Sequence, residues 1–279
     1  MTAGDEPKVA ALPSRAVLRV SGQDARTWLQ GLVTNDVEAI PPGEARFAAL
    51  LTPQGKIIGD FLVTPDGDGL LLDCAADQSA ALAKRLSMYK LRAQVAVSEV
   101  PSLTVAALWG GAPPAASQGR MFADPRSPDL GWRAIAAPDV IERMGECASE
   151  QDWHAHRIAC GVPQGGLDFA WGDTFPHEAN MDRLNGLDFR KGCYVGQEVV
   201  SRVQHRGLAR KRVTQVLIDG PAPAAGTEIV DGDIAIGAVG STAGARGLAL
   251  VRLDKVEDAA AAGRQLRAQN AAISVVLRP

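Results

Sequence analysis

The texture of the chain changes at Gly207, and this change limits the fold more than any other feature. Beyond it, strand-like runs at 213–218, 228–230, 234–239, 248–251 and 273–277 alternate with Gly and Pro turns. The pattern predicts an all-β module over 207–279, a small barrel. Before Gly207, strand and helix patterns are mixed along the chain, which predicts an α+β region over 1–206.

Within 1–206 the apolar spacing predicts a strand at 15–20 and a helix at 24–33, with Trp28, Leu29 and Leu32 on one face. Thr34-Asn35-Asp36-Val37 ends that helix, and Asn and Asp commonly close turns. Runs at 47–52, 56–64 and 70–74 read as a strand meander, with turns at 53–55 and 65–69. Asp77 is expected to cap a helix that runs through Leu91. Strands at 93–97 and 103–109 follow, then a Pro/Gly/Ala/Ser loop over 111–129 and a strand opened by Leu130-Gly131-Trp132-Arg133. Helices are predicted at 138–147 and 151–159. On the second, His154 and His156 are two apart and do not share a face. His156 and Cys160 do share one, but two ligands do not make a site, so no metal centre is expected.

The stretch from Arg190 to Gly207 concentrates chemistry. Val195, Val199 and Val203 recur at helical spacing, and Glu198 precedes Arg202 by four, the favourable order for a helix pair. The reading is a glycine turn feeding a helix, with Cys193 just before the helix N-terminus. Helix amides and Lys191 would both favour a thiolate there. The plain alternative is a small buried cysteine at a turn. From Arg190 to Arg212 there are seven Lys/Arg against one acid, Glu198, a local charge of about +6 in a chain of net charge −3. Such a patch suits an anionic ligand or partner, or is simply a solvated surface.

Composition narrows the classes. With 279 residues, 46% hydrophobic and 22% charged, the chain is globular with room for two or three domains. The overall charge excludes a global basic field, and aromatics, at 5%, do not interleave with the basic stretch, so no nucleic-acid partner is expected. No apolar run reaches the ~18–20 residues of a membrane span. Cys74, Cys147, Cys160 and Cys193 form no C-x-x-C pair, which fits a reducing compartment. Residues 1–8 resemble neither a signal peptide nor an Arg-rich presequence, so a cytoplasmic protein is expected. Phosphate-loop, dinucleotide-fold and H-E-x-x-H motifs are absent.

Lys191-Gly192-Cys193-Tyr194-x-Gly196-Gln197-Glu198 followed by Arg202 resembles the signature of the YgfZ-type folate-binding proteins, relatives of the glycine-cleavage T-protein, an aminomethyltransferase. Gln30-Gly31-x-x-Thr34-Asn35-Asp36-Val37, Leu51-Thr52-Pro53-Gln54-Gly55-Lys56, Met88–Arg92, Arg157-x-x-x-Gly161-x-Pro163, and Asp168, Phe175, Pro176 and Glu178 are similar to further family segments. The resemblance implies a T-protein-like, three-lobed arrangement: two α+β lobes and a C-terminal β-barrel. It implies tetrahydrofolate, possibly polyglutamated, as cofactor, and a role in assembling or repairing iron–sulfur proteins. Assembly or client proteins would be the partners, with transient contact to a cluster. Cys193 and Lys191 would carry the chemistry. Asn35, Asp36, Asp60, Tyr89, Trp132, Tyr194, Gln197, Glu198 and Arg202 would bind the cofactor. Two departures weigh against the rival reading, a folate-dependent aminomethyl transferase or demethylase. Gly59 replaces the first member of the T-protein's acidic pair, leaving Asp60, and 130–137 contains no glutamate. A third class, a binding module without chemistry, is opposed by the motif cysteine.

Overall fold

Residues 6–114, 118–207 and 209–277 are described by the structure, a computed structural model. In chain order its elements are β1 (Lys8–Ala11), β2 (Arg15–Ser21), α1 (Ala25–Gln30), β3 (Arg46–Leu51), β4 (Ile57–Asp66), β5 (Gly69–Ala75), α2 (Ser79–Met88) and β6 (Ala96–Glu99). β7 (Thr104–Trp109), β8 (Arg120–Ala123), β9 (Trp132–Ala136), α3 (Pro138–Ile141), β10 (Glu146–Cys147), α4 (Glu150–Cys160) and α5 (Gln197–Arg206) follow. Last come β11 (Lys211–Asp219), β12 (Glu228–Asp231), β13 (Ile234–Ala243), β14 (Arg246–Arg252), α6 (Leu253–Ala261), β15 (Leu266–Ala268) and β16 (Ala271–Val276). The chain divides into two units, Met1–Trp153 with Leu184–Gln197, and His154–Arg183 with Glu198–Pro279.

The first unit contains two five-stranded sheets. One has the order β3-β4-β5-β2-β6 and is antiparallel throughout. Leu82 and Leu86 of α2 and Leu29 of α1 bury against Phe61 and Leu72 of its strands. Side chains alternate across a strand, so Asp73, next to Leu72, faces the other way and meets Arg15 at 2.6 Å. The second sheet runs β10-β1-β7-β9-β8, with only the β1–β10 pair parallel. Its core is Val9, Leu108, Ala134, Ile141 and Met144.

The second unit holds a closed six-stranded barrel, β11-β14-β13-β12-β15-β16. Val216, Ile229, Val251 and Ile273 fill it, and α6 adds Val256 and Ala259. In 154–183, Arg157 is fully buried. Its guanidinium donates to Asp168 Oδ2 (2.7 Å), the Val162 carbonyl (3.1 Å) and Ser241 Oγ (2.7 Å), while Asp168 Oδ1 accepts from the Ser241 N–H (2.7 Å). The matched segment around Arg157 is therefore a buried polar joint. The fold is of the expected α+β class, and its C-terminal part closes into the expected β-barrel.

Several expectations need correction. Only Pro138–Ile141 of 138–147 is helical, and Glu146–Cys147 pairs with β1, because the edge of the second sheet captures the chain. The 111–129 loop contains β8 and a 3-10 turn at Pro128–Leu130, while 115–117 lie outside the described residues. The helix expected from Asp77 to Leu91 spans only Ser79–Met88. Asp77 lies in a preceding 3-10 turn, and Leu91 takes a left-handed φ of 43°. The strand expected at 93–97 is Ala96–Glu99.

Candidate functional site: a clasped motif loop and its neighbouring cavity

The motif loop is anchored by Lys191. Its ammonium is buried and donates to the carbonyls of Gln30, Val33 and Asn35, each at 2.7 Å. These acceptors lie where α1 ends, and helix C-terminal carbonyls attract cations. Burial lowers the Lys191 pKa to about 8, opposed by Asp36, Asp188 and Glu38. The Tyr194 ring lies 5.4 Å from Nζ, and burial, with Asp188 adding, pushes its phenol up to about 12. Asp188 Oδ1 accepts from the Arg190 N–H (2.7 Å) and the Lys191 N–H (3.3 Å), which shapes the turn into the loop. Gly196 closes the loop at φ 82°, where a Cβ would come within 2.7 Å of the Thr52 carbonyl oxygen.

Lys191 therefore does not act as a bare charge beside Cys193, because its hydrogen bonds face the 30–35 turn. Cys193 is exposed, but α5 starts at Gln197, four residues later, so the thiol does not sit at the helix terminus. The expected valine stripe is also displaced. Val195, Val199 and Val203 are half-buried, and Val200 is the buried one. Glu198 and Arg202 form their helix pair at 2.7 Å in solvent. The basic run is partly neutralised by acids outside it. Arg212 chelates Asp182 (2.8 and 2.7 Å), and Arg190 extends into solvent 3.9 Å from Asp188.

A cavity of about 860 Å³ lies within the first unit, in the range of small-molecule sites. Trp132, Leu187 and Phe189 give it apolar walls, and Arg46, Arg190, Glu44 and Asp188 give it charge. Of the expected cofactor residues, Asn35 and Trp132 line it. Asn35 is already engaged. Its amide donates to the Phe47 and Asn185 carbonyls (2.8 and 2.7 Å), and its oxygen accepts from the Asp36 N–H. Asp36 in turn accepts from the Glu38 N–H, so this pair builds the turn. Asp60 and Tyr89 are not among the lining residues. Asp60 is buried in β4, and Tyr89 packs on the core below α2. Tyr194, Gln197, Glu198 and Arg202 do not line it either.

The sequence reading missed a buried arginine–aspartate network beside the cavity. Arg126 binds Asp124 through Nε (2.9 Å) and Nη2 (2.7 Å), and Arg133 Nε reaches the same carboxylate at 3.2 Å. Burial opposes charge on Asp124, but these arginines outweigh it and hold the carboxyl well below the usual range. Burial raises the Asp60 pKa, against the pull of Arg15 and Arg126. Asp124-x-Arg126 lay inside a stretch that composition marks as a loop, and no spacing signal pointed to it.

Comparison with known proteins places the chain. Residues 14–117 match the family profile described as the GCVT N-terminal domain, and 210–279 match the CAF17 C-terminal β-barrel domain. The mouse protein named mitochondrial iron–sulfur cluster assembly factor IBA57 is 33% identical, covering 88% of this chain and 78% of its own length. The chain belongs to the IBA57 family. Human IBA57 is 33% identical over 87% of this chain and 75% of its own, and a homologue from Mycosarcoma maydis is 35% identical over 80% and 61%. The glycine cleavage aminomethyltransferase T from Bartonella henselae superposes with a TM-score of 0.76 at 15% identity, over 99% of this chain and 86% of that one, a likeness of fold. These IBA57 relatives are named mitochondrial, which overturns the expectation of a cytoplasmic protein.

Proposed function

We propose that the protein assists assembly of iron–sulfur proteins by presenting the Cys193 thiol to a cluster shared with a partner. The observation that carries this is the contrast within the motif loop: Lys191 and Tyr194 are buried, while Cys193 between them is exposed. A thiolate is the soft ligand iron prefers, and one cysteine cannot hold a cluster that usually takes four thiolates. The cluster is thus cargo held jointly and briefly. The names of the IBA57 relatives support the same role.

The finer reading, a YgfZ-type factor that binds tetrahydrofolate, is supported by the motif and by the cavity's fit. Trp132 and Phe189 in its wall suit an aromatic ring, and Arg46 and Arg190 suit carboxylates. When bound, a reduced folate supplies a one-carbon carrier. The aminomethyl-transfer reading is weaker. A Cβ at Gly59 would make only ordinary contact with Leu82, at 3.6 Å, so packing does not explain the missing acid there.

The test is a deletion strain carrying wild-type or Cys193→Ala protein, read by the activities of several iron–sulfur enzymes. Low activities with the variant, at wild-type protein level, are expected; normal activities would overturn the thiol role. Separately, titration calorimetry with mono- and polyglutamated tetrahydrofolate should show binding that weakens with Arg46→Ala. Absence of any binding would remove the folate reading and leave the thiol reading standing.

A further inference from the structure

The C-terminal end of α2 combines three features that no role described above uses. The first is charge: from Ser79 to Val95 the chain has Lys84, Arg85, Lys90 and Arg92 and no acid, within a protein of net charge −3. All four cations are exposed. The second is displayed apolar surface. Met88 is 65% exposed and Leu91 92% exposed, the most exposed large apolar side chain among the described residues. Met88 also lines a groove of about 340 Å³ with Ile58, Ala81, Leu82, Lys84 and Arg85.

The third feature is the backbone. Leu91 is held at φ 43°, a conformation that disfavours a γ-branched side chain and favours glycine. This loop is pinned. The Trp28 indole donates to the Tyr89 carbonyl (3.2 Å), the Ala93 N–H to the Lys90 carbonyl (2.8 Å) and the Gln94 N–H to Asp24 Oδ2 (2.7 Å). Leu82 and Leu86 hold the opposite face of the helix in the core. A leucine kept in an unfavourable conformation, on a fixed turn and out in water, adds nothing to packing. Strain of this kind collects at ligand clamps and switch regions.

We infer that this surface docks an acidic protein partner, with Leu91 and Met88 as the apolar anchor and the four cations as a steering rim. Apolar centres ringed by charge are the usual anatomy of protein interfaces, and complementary charge speeds encounter. A nucleic acid fits less well, because Tyr89, the aromatic ring here, packs on the core and offers no stacking face. An anionic membrane fits less well too, since α2 exposes one large apolar residue and is ten residues long. The inference goes beyond the thiol and folate readings and does not rest on either.

The test places a benzoylphenylalanine photo-crosslinker at the exposed Ser87 of the full-length protein in its native host. Three backgrounds are compared: otherwise wild type, Leu91→Asp, and Lys84→Glu with Arg85→Glu. A discrete adduct with an acidic protein is expected in the first and a loss of about tenfold in the others. With the purified pair, affinity should fall about tenfold in each variant and fall again as salt rises from about 50 to about 500 mM. Leu91→Gly separates strain from packing. It should leave the melting temperature unchanged or raise it, while weakening the complex. The inference is overturned by no adduct above background or by adducts only with nucleic acid or lipid. It is equally overturned by an adduct that charge reversal leaves intact, or by a Leu91→Gly protein that melts lower.

Discussion

Two halves of one motif behave in opposite ways. From Asp188 to Gly196 the chain is tied down: Lys191 is nine-tenths buried with three carbonyl partners, Tyr194 is covered, and Gly196 touches the β3–β4 turn. From Gln197 to Arg206 it is a helix whose Glu198–Arg202 pair stands in solvent. A motif that reads as one continuous stretch in the sequence is a clasp followed by a helix with a solvent-facing side. Cys193 is the exception inside the clasp, a free exposed thiol between the buried side chains of Lys191 and Tyr194.

The contrast is sharpest at Lys191. Lys191→Met removes the donor to three carbonyls and should destabilise the fold by about 3 kcal/mol in urea unfolding. A loss below about 1 kcal/mol would mean water replaces the ammonium easily and the clasp is not structural. The pH dependence has a definite sign. With a folded pKa of about 8, below the model-peptide value of 10.5, native Lys191 releases its proton before the unfolded chain does. Between those values the unfolded state binds more protons, so this group makes stability rise with pH. Wild type should show that rise between about pH 8 and 10.5, and Lys191→Met should lack it. Equal slopes would show that the carbonyls keep the ammonium charged.

Gly196→Ala comes next, at about 2–3 kcal/mol, because it adds a left-handed non-glycine residue and a contact too close to the Thr52 carbonyl. A variant as stable as wild type would show that the loop can shift away from β3–β4. Arg202→Ala should change stability by no more than about 0.5 kcal/mol, as exposed helix pairs do. Cys193→Ala should be smaller still in unfolding experiments. With a thiol reagent in native buffer, Cys193 and Cys147 should label. Cys74, buried and with its pKa pushed up to about 12, should label only on unfolding. Labelling of Cys74 at the Cys193 rate would show that the first unit opens locally.

Much of the fold was legible in the chain because its signals are local. The meander over β3, β4 and β5 follows from apolar runs broken by Pro-Gln-Gly and Asp-Gly-Asp-Gly, and the barrel from alternation such as Val216 and Ile218 in β11. Features set by distant partners were not legible. β10 is a strand because β1 pairs with it, and β8 because β9 does. The helix α2 stops at Met88, where Trp28 holds the Tyr89 carbonyl and Leu91 turns left-handed, a stop no Gly or Pro announces.

For the candidate site the division is similar. By itself the sequence determined that Cys193 sits among glycines and cations in a recognisable motif, and that a helix follows, because these are matters of neighbours along the chain. Only the tertiary structure decided that Lys191 turns away to close α1, that Asn35 uses its amide on the backbone, and that Trp132, Phe189 and Arg46 meet around one cavity. The physical reason is that a buried polar group must be satisfied wherever partners exist, and the carbonyls around the end of α1 lie 156 to 161 residues from Lys191 along the chain.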